Sequence, residues 1–260
     1  MAKVSLKKRS ETLKVSLKKA GLGDRLMLRV ASALDISGSM QSLYRSGVMS
    51  EFVGKLLPFG VLFDDNEEID MWAFDHGFRE LPPATADVYA DYVGNCMGGI
   101  SISGGTAYAP VMNDIYGSYF GKVSRNEVSH SQEVRPKGGF FGKLLGKTET
   151  VTVSTTQTIY EDPENMMPAM VLFQTDGENS DDSSVRNLLS RNINTPVFWF
   201  MVGVGNSNFR SLKGLAKDFP NVDFISVESL DLPDEQLYDE LLKGKFKDWC
   251  DAHNVQSVAK

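Results

Sequence analysis

Cysteine and histidine are scarce in this chain, with two of the first and three of the second in 260 residues. Cys96 and Cys250 cannot build a disulfide framework, and neither sits in a C-x-x-C spacing, which argues against a structural zinc site. So few cysteines suit a reducing compartment, and a cytoplasmic location is expected. A long apolar run is also missing. No stretch approaches the roughly 20 residues a membrane helix needs, and the N-terminal segment carries Lys3, Lys7 and Lys8 in place of a signal peptide's apolar centre, so no membrane span is expected. Nor is there a broad excess of positive charge. Residues 1–20 hold seven Lys/Arg against Glu11, a net +6, so with a total of −7 the remainder carries −13. An acidic body makes a poor phosphate-binding face, and no nucleic-acid partner is expected.

The apolar residues that are present fall into short runs: "LMLRVASAL" ending at Asp35, "IDMWAF" (69–74), "AMVLFQT" (169–175), "VFWFMVGV" (197–204) and "VDFISV" (222–227). Runs of this length suit strands covered on both faces, as in parallel sheets. Helical patterns separate them. One places Met49, Phe52, Val53, Leu56 and Leu57 on a face and is expected to stop near Pro58 and Gly60; another spans Asp181 to Arg191; a last opens at Pro233 and carries Leu237, Leu241 and Trp249 inward. This alternation predicts an α/β fold with a doubly wound, mostly parallel, Rossmann-like sheet and helices on both faces. Polar, β-favouring tracts over 122–162 break the rhythm and read as an inserted β-hairpin arm. The expected division is a basic, solvated tail over 1–24, a domain over 25–250 and a second tail over 251–260. A short repeat, "VSLKK", occurs twice in the first tail and fits either two small strands or a basic helix.

Open parallel sheets bind ligands outside the carboxyl ends of their strands. Asp35 ends the first run and is followed by Ser37 and Ser39, while Asp176 ends a later run in "QTDGE". Between them, "GGISISGGTAYAP" turns at Gly104 and Gly105 before Thr106 and a helix. Asp35, Ser37, Ser39, Thr106 and Asp176 offer only hard oxygen atoms, which select Mg²⁺, or Mn²⁺ or Ca²⁺, over zinc or copper. Gly105 and Glu178 would stand on the rim.

The order D-x-S-x-S, then Thr, then Asp resembles the metal-ion-dependent adhesion site of von Willebrand factor A (vWA) domains. The Thr-to-Asp interval of 70 residues exceeds the family's usual one, and the insertion accounts for the excess. The resemblance implies that Ser37, Ser39 and Thr106 bind metal directly or through water, with Asp35 and Asp176 acting mostly through water or hydrogen bonds. Neutral hydroxyls leave the ion much of its charge, so the resemblance implies a protein partner that offers a Glu or Asp carboxylate. The opening from Leu13 to Met40, with "VSLKKAGL" at Val15–Leu22, is similar to vWA proteins associated with bacterial tellurium and toxic-cation resistance.

A non-catalytic binding module is therefore expected, because His76, His130 and His253 are scattered and none adjoins the motif as a general base. The competing readings are a Mg²⁺-dependent phosphotransfer or hydrolytic enzyme, and a scaffold that binds through its insertion arm. Other motifs read blandly. "FGKLLGKT" (141–148) has Phe where a phosphate-binding loop needs Gly; "GVGNSN" lacks the third Gly of a dinucleotide site; Asp75 and His76 form a turn between strands; Glu178, Asp181 and Asp182 lead into a helix. The apolar residues Phe140, Phe141, Leu144 and Leu145 suit either a contact surface or packing against the domain. The sequence leaves the oligomeric state open.

Overall fold

The computed structural model describes residues 5–121, 124–134, 149–159, 166–177, 179–227 and 232–255. All five apolar runs form strands: β1 (Arg29–Asp35), β2 (Ile69–Phe74), β6 (Ala169–Thr175), β7 (Val197–Val204) and β8 (Val222–Val227), joined by an edge strand β3 (Phe78–Ala84). The sheet order is β3-β2-β1-β6-β7-β8, parallel throughout except that β3 returns antiparallel to β2. The chain builds outward from β1 in one direction through β2 and in the other through β6. Strand order therefore reverses between β1 and β6, where the register pairs Leu34 with Gln174.

Side chains alternate across the sheet because successive residues of a strand face opposite sides. Val30, Leu34, Leu172, Phe198 and Phe200 face one core with α3 (Val48–Phe63), α8 (Asp234–Leu242) and α9 (Lys245–Ala252). Ala33, Phe173, Trp199 and Met201 face the other with α5 (Ala109–Phe120), α6 (Asp182–Arg191) and α7 (Arg210–Asp218). Among the described residues no single helix is long and apolar enough to cross a membrane.

Helix α3 runs through Pro58 to Phe63, past its expected stop. Proline removes one helical hydrogen bond and its ring crowds the carbonyl four residues back. Here twelve of the helix's sixteen residues are buried, and that burial overrides the local preference. Gly60 makes the fit possible, since a Cβ there would lie 2.6 Å from the Glu68 carbonyl oxygen. Gly60→Ala should therefore cost about 1–3 kcal/mol, the usual penalty for overpacking, measured as a lower urea midpoint; an unchanged midpoint would contradict this tight packing.

The basic N-terminal segment is not a solvated arm. Leu6–Ala20 form helix α1, with Ser5 accepting a hydrogen bond from the Lys8 N–H at its start and Gly21 in the left-handed region (φ 72°) at its end. The interval of eleven residues between the two "VSLKK" copies is about three helical turns, so equivalent residues share a face. Leu13 and Leu17 are fully buried against α3 and α8. Arg9, also buried, donates to Asp234 Oδ2 at 3.1 Å and to the Tyr89 hydroxyl at 3.0 Å, and pairs with Glu51. At the other end of the chain the expected single helix is two, α8 and α9, divided at Gly244 (φ 62°).

In the insertion, β4 (Ser124–Val134) and β5 (Glu149–Ile159) pair antiparallel from Ser124 opposite Ile159 to Val134 opposite Glu149, as a separate two-stranded sheet. The apolar residues Phe140, Phe141, Leu144 and Leu145 lie outside the described residues.

At the opposite edge of β1 from the switch point's loops, the buried Asp64 carboxylate accepts from the Val30 N–H at 2.8 Å. Burial, aided by the adjacent Asp65 carboxyl, pushes its pKa up to about 6, only partly offset by backbone hydrogen bonds. The native state thus holds a proton that the unfolded chain, titrating near 3.8, has released. Stability contributed by the neutral form is lost as pH rises from about 4 through about 6. Asp64→Asn should reduce that downward slope in a pH series of unfolding midpoints, and an unaltered slope would contradict the assignment.

Candidate metal-binding site

The loops that follow β1 and β6 meet at the switch point. Asp35 is fully buried at the end of β1, and both of its carboxylate oxygens are engaged: Oδ1 accepts from the Ser37 N–H at 2.7 Å and Oδ2 from the Thr175 hydroxyl at 2.6 Å. Its main-chain carbonyl accepts from the Tyr44 hydroxyl at 2.9 Å. Asp35 is therefore held as a bracket for the turn that carries the serines. That turn runs into a 3-10 turn (Gly38–Met40) and α2 (Gln41–Arg45).

The serine hydroxyls continue the oxygen cluster. Ser37 Oγ lies 3.2 Å from Ser39 Oγ, and Ser39 Oγ donates to Asp176 Oδ1 at 2.8 Å across 137 residues of sequence. Burial raises the pKa values of both acids, Asp35 to about 6, against the opposing pull of their hydroxyl partners. Two carboxylates desolvated this close together are the groups that a cation would stabilise in ionised form.

The Thr106 loop is stitched to the other two. The Gly38 N–H donates to the Gly104 carbonyl at 3.1 Å and the Ser103 N–H to the Ile36 carbonyl at 2.8 Å. On the other side, the Ser180 N–H and hydroxyl both donate to the Thr106 carbonyl at 2.9 Å. Gly104 has φ 94°, a conformation that favours glycine, and a Cβ there would lie 3.2 Å from His76 Nδ1. Gly105 is exposed beside it. Backbone hydrogen bonds thus hold the Thr106 loop beside the other two segments, with the Thr106 carbonyl engaged by Ser180, while Glu178 lies outside the described residues.

Several supporting residues carry no sequence signal. Tyr108 donates to the Gly177 carbonyl at 2.7 Å and lies 3.3 Å from Thr175 Oγ1, bracing the end of β6 over a packed group of Phe74 and Phe173. Asp181 stands at the N-terminal end of α6, as expected, but its carboxylate caps another helix: it accepts from the N–H groups of Tyr108 and Ala109 at 3.0 and 2.8 Å, at the start of α5. Asp182 pairs with Arg186 and Ser211. The Asp75–His76 turn does touch the site's margin, because the Ala107 N–H donates to the Asp75 carbonyl at 2.7 Å.

The donor set suits a hard divalent cation. Among the described residues no group of three or more His, Cys, Asp or Glu is placed to hold a metal, so a site here must draw on hydroxyls, which Ser37 and Ser39 present beside Asp176.

Comparison with known proteins adds the family. Residues 27–259 match the vWA-TerF-like family, described as the vWA found in the TerF C terminus. The chain belongs to this family. Helix α1 precedes the matched segment of this vWA-TerF-like domain. The whole chain is 28% identical to the uncharacterized protein YcbR of Bacillus subtilis, covering 91% of it. Solved structures share the fold. A von Willebrand factor type A protein from Catenulispora acidiphila matches at 14% identity and TM-score 0.52, over 86% of this chain and 43% of that one. Proximal thread matrix protein 1 of the mussel byssus, solved with a zinc occupied MIDAS motif, matches at 13% and 0.50, over 84% and 47%. The chain thus spans under half the length of these two structures.

Proposed function

We propose that this vWA-TerF-like domain is a non-catalytic, Mg²⁺-dependent protein-binding module that captures a Glu or Asp carboxylate of a partner. The continuous set of oxygens from Ser37 through Ser39 to Asp176, at the sheet's switch point, carries this reading. Ser37, Ser39 and Thr106 would hold the ion, with Asp35 and Asp176 completing the shell through water or hydrogen bonds. A Mg²⁺ held mainly by neutral hydroxyls supplies an electrophilic position for an incoming carboxylate. The chain's own residues orient that position: Thr175 and the Ser37 amide each hold one oxygen of Asp35, so it braces the loop. The family and the opening segment support a place in cytoplasmic tellurium or stress resistance.

A pull-down from the native host tests this. Partner recovery is expected with Mg²⁺ and to be lost with a chelator or with Ser37→Ala; recovery indifferent to both would contradict metal-dependent capture.

A further inference from the structure

On the α3 side of the metal loop, a cavity of about 420 Å³ opens among residues of α1, α2, α3 and α4 (Tyr92–Cys96). That volume lies within the few hundred cubic ångströms usual for small-molecule sites. Both signs of charge face it. Arg45, exposed at the end of α2, has no ion pair among the described residues, whereas Glu51 and Asp91 present carboxylates to the same space. Glu51 shares its charge with the buried Arg9, and Asp91 Oδ1 accepts from Ser50 Oγ at 2.9 Å and the Gly94 N–H at 3.0 Å. Tyr44 and Tyr89 are also in the lining, as is Arg9, whose guanidinium lies 5.9 Å from the centroid of the Tyr89 ring.

Tyr44 belongs to the cavity and to the metal loop at once. Its hydroxyl donates to the Asp35 carbonyl, and Ser39 stands only five residues before it. One short segment therefore has the hydroxyl cluster at one end and a cavity wall at the other.

We propose that this cavity binds a small amphoteric molecule of amino-acid size, with an ammonium and a carboxylate on one short skeleton, and that Tyr44 transmits its occupancy to the metal loop. The Glu51 and Asp91 carboxylates suit an ammonium, and the Arg45 guanidinium suits a carboxylate. A purely anionic ligand would meet Glu51 and Asp91, and a purely cationic one would meet Arg45. A ligand against the Tyr44 ring acts on the residue that fixes the Asp35 main chain, which gives occupied and empty cavities different metal-loop contacts, the condition for coupling. Only this coupling rests on the metal reading; the cavity stands without it.

The experiment uses the full chain and the twenty L-amino acids as probes, read by calorimetry and by amide NMR shifts, with each binder compared with its decarboxylated amine and its deaminated acid. At least one amino acid should bind saturably, with both truncated forms and the Arg45→Gln variant weaker by about tenfold or more. Saturating it should shift Mg²⁺ affinity by about fivefold or more in the wild type and leave it unmoved in Tyr44→Phe. No saturable binder, or binding indifferent to Arg45→Gln, overturns the site. Unchanged Mg²⁺ affinity at saturation overturns the coupling. Arg45-dependent binding in a protein that takes up no Mg²⁺ upholds the cavity and overturns the metal reading.

Discussion

Asp176→Ala and Ser37→Ala are each expected to abolish stabilisation by Mg²⁺ while leaving the metal-free fold intact. A ligand that binds only the folded chain stabilises it by about 2.7 kcal/mol at a hundred times its dissociation constant. For a domain of this size that is a rise in melting temperature of roughly 5–10 °C, at about 2–4 °C per kcal/mol. The wild type should show it and both variants should not. The metal-free baseline carries information too. Asp176 is a partly desolvated acid whose principal partner is Ser39, so truncating it removes a burial cost along with one hydrogen bond. Its loss should therefore change the chelated protein's melting temperature little. A variant that melts several degrees lower without metal would show that the carboxylate has a structural role instead, and an undiminished Mg²⁺ effect would place the ion elsewhere.

Arg9→Ala should destabilise the chain by about 3 kcal/mol, near the lower end for removing one member of a buried ion pair. The arginine is almost fully buried, and it joins α1 to Glu51 on α3 and Asp234 on α8. Removing it leaves Glu51 without its counter-ion and Asp234 with only Lys55 Nζ at 3.7 Å, and opens space beside Gly54, where a Cβ would lie 3.0 Å from the guanidinium. Lys19, which joins the same helix to Glu235 and Asp239 at the surface, is the control; its replacement by Ala should cost far less, because exposed pairs are screened by solvent. Urea unfolding separates the two. A cost for Arg9→Ala no greater than that for Lys19→Ala would mean that α1 is not fixed to the domain by this residue.

These two sites also mark where the sequence was legible. Asp35, Ser37, Ser39 and Asp176 could be read because each follows an apolar strand whose length and composition announce a covered parallel sheet, and ligand loops lie at the ends of such strands. The serine spacing has a local cause in the tight turn after Asp35. Thr175, Tyr44 and Tyr108 could not be read, because their roles depend on which strands are neighbours and on contacts spanning up to 140 residues. The burial of helix α1 is hidden in the sequence for a related reason. Its lysines dominate the composition, while the pattern that buries Leu13 and Leu17 emerges only once α3 and α8 offer a surface to cover. Pro58 and Gly60 likewise looked like a stop because local propensity is weaker than the burial available to α3. Asp181 begins the nearer helix, as its position in the sequence indicates, but the target of its carboxylate, the start of α5, is 72 residues away in sequence.

The most direct measurement is the anomalous scattering of Mn²⁺ in crystals of the full chain. The expected result is a single strong peak bounded by the oxygens of Ser37, Ser39, Thr106 and Asp176, with one coordination position open to water or an added carboxylate. Saturating Mn²⁺ with no peak there, or a peak held by other residues, would contradict the account.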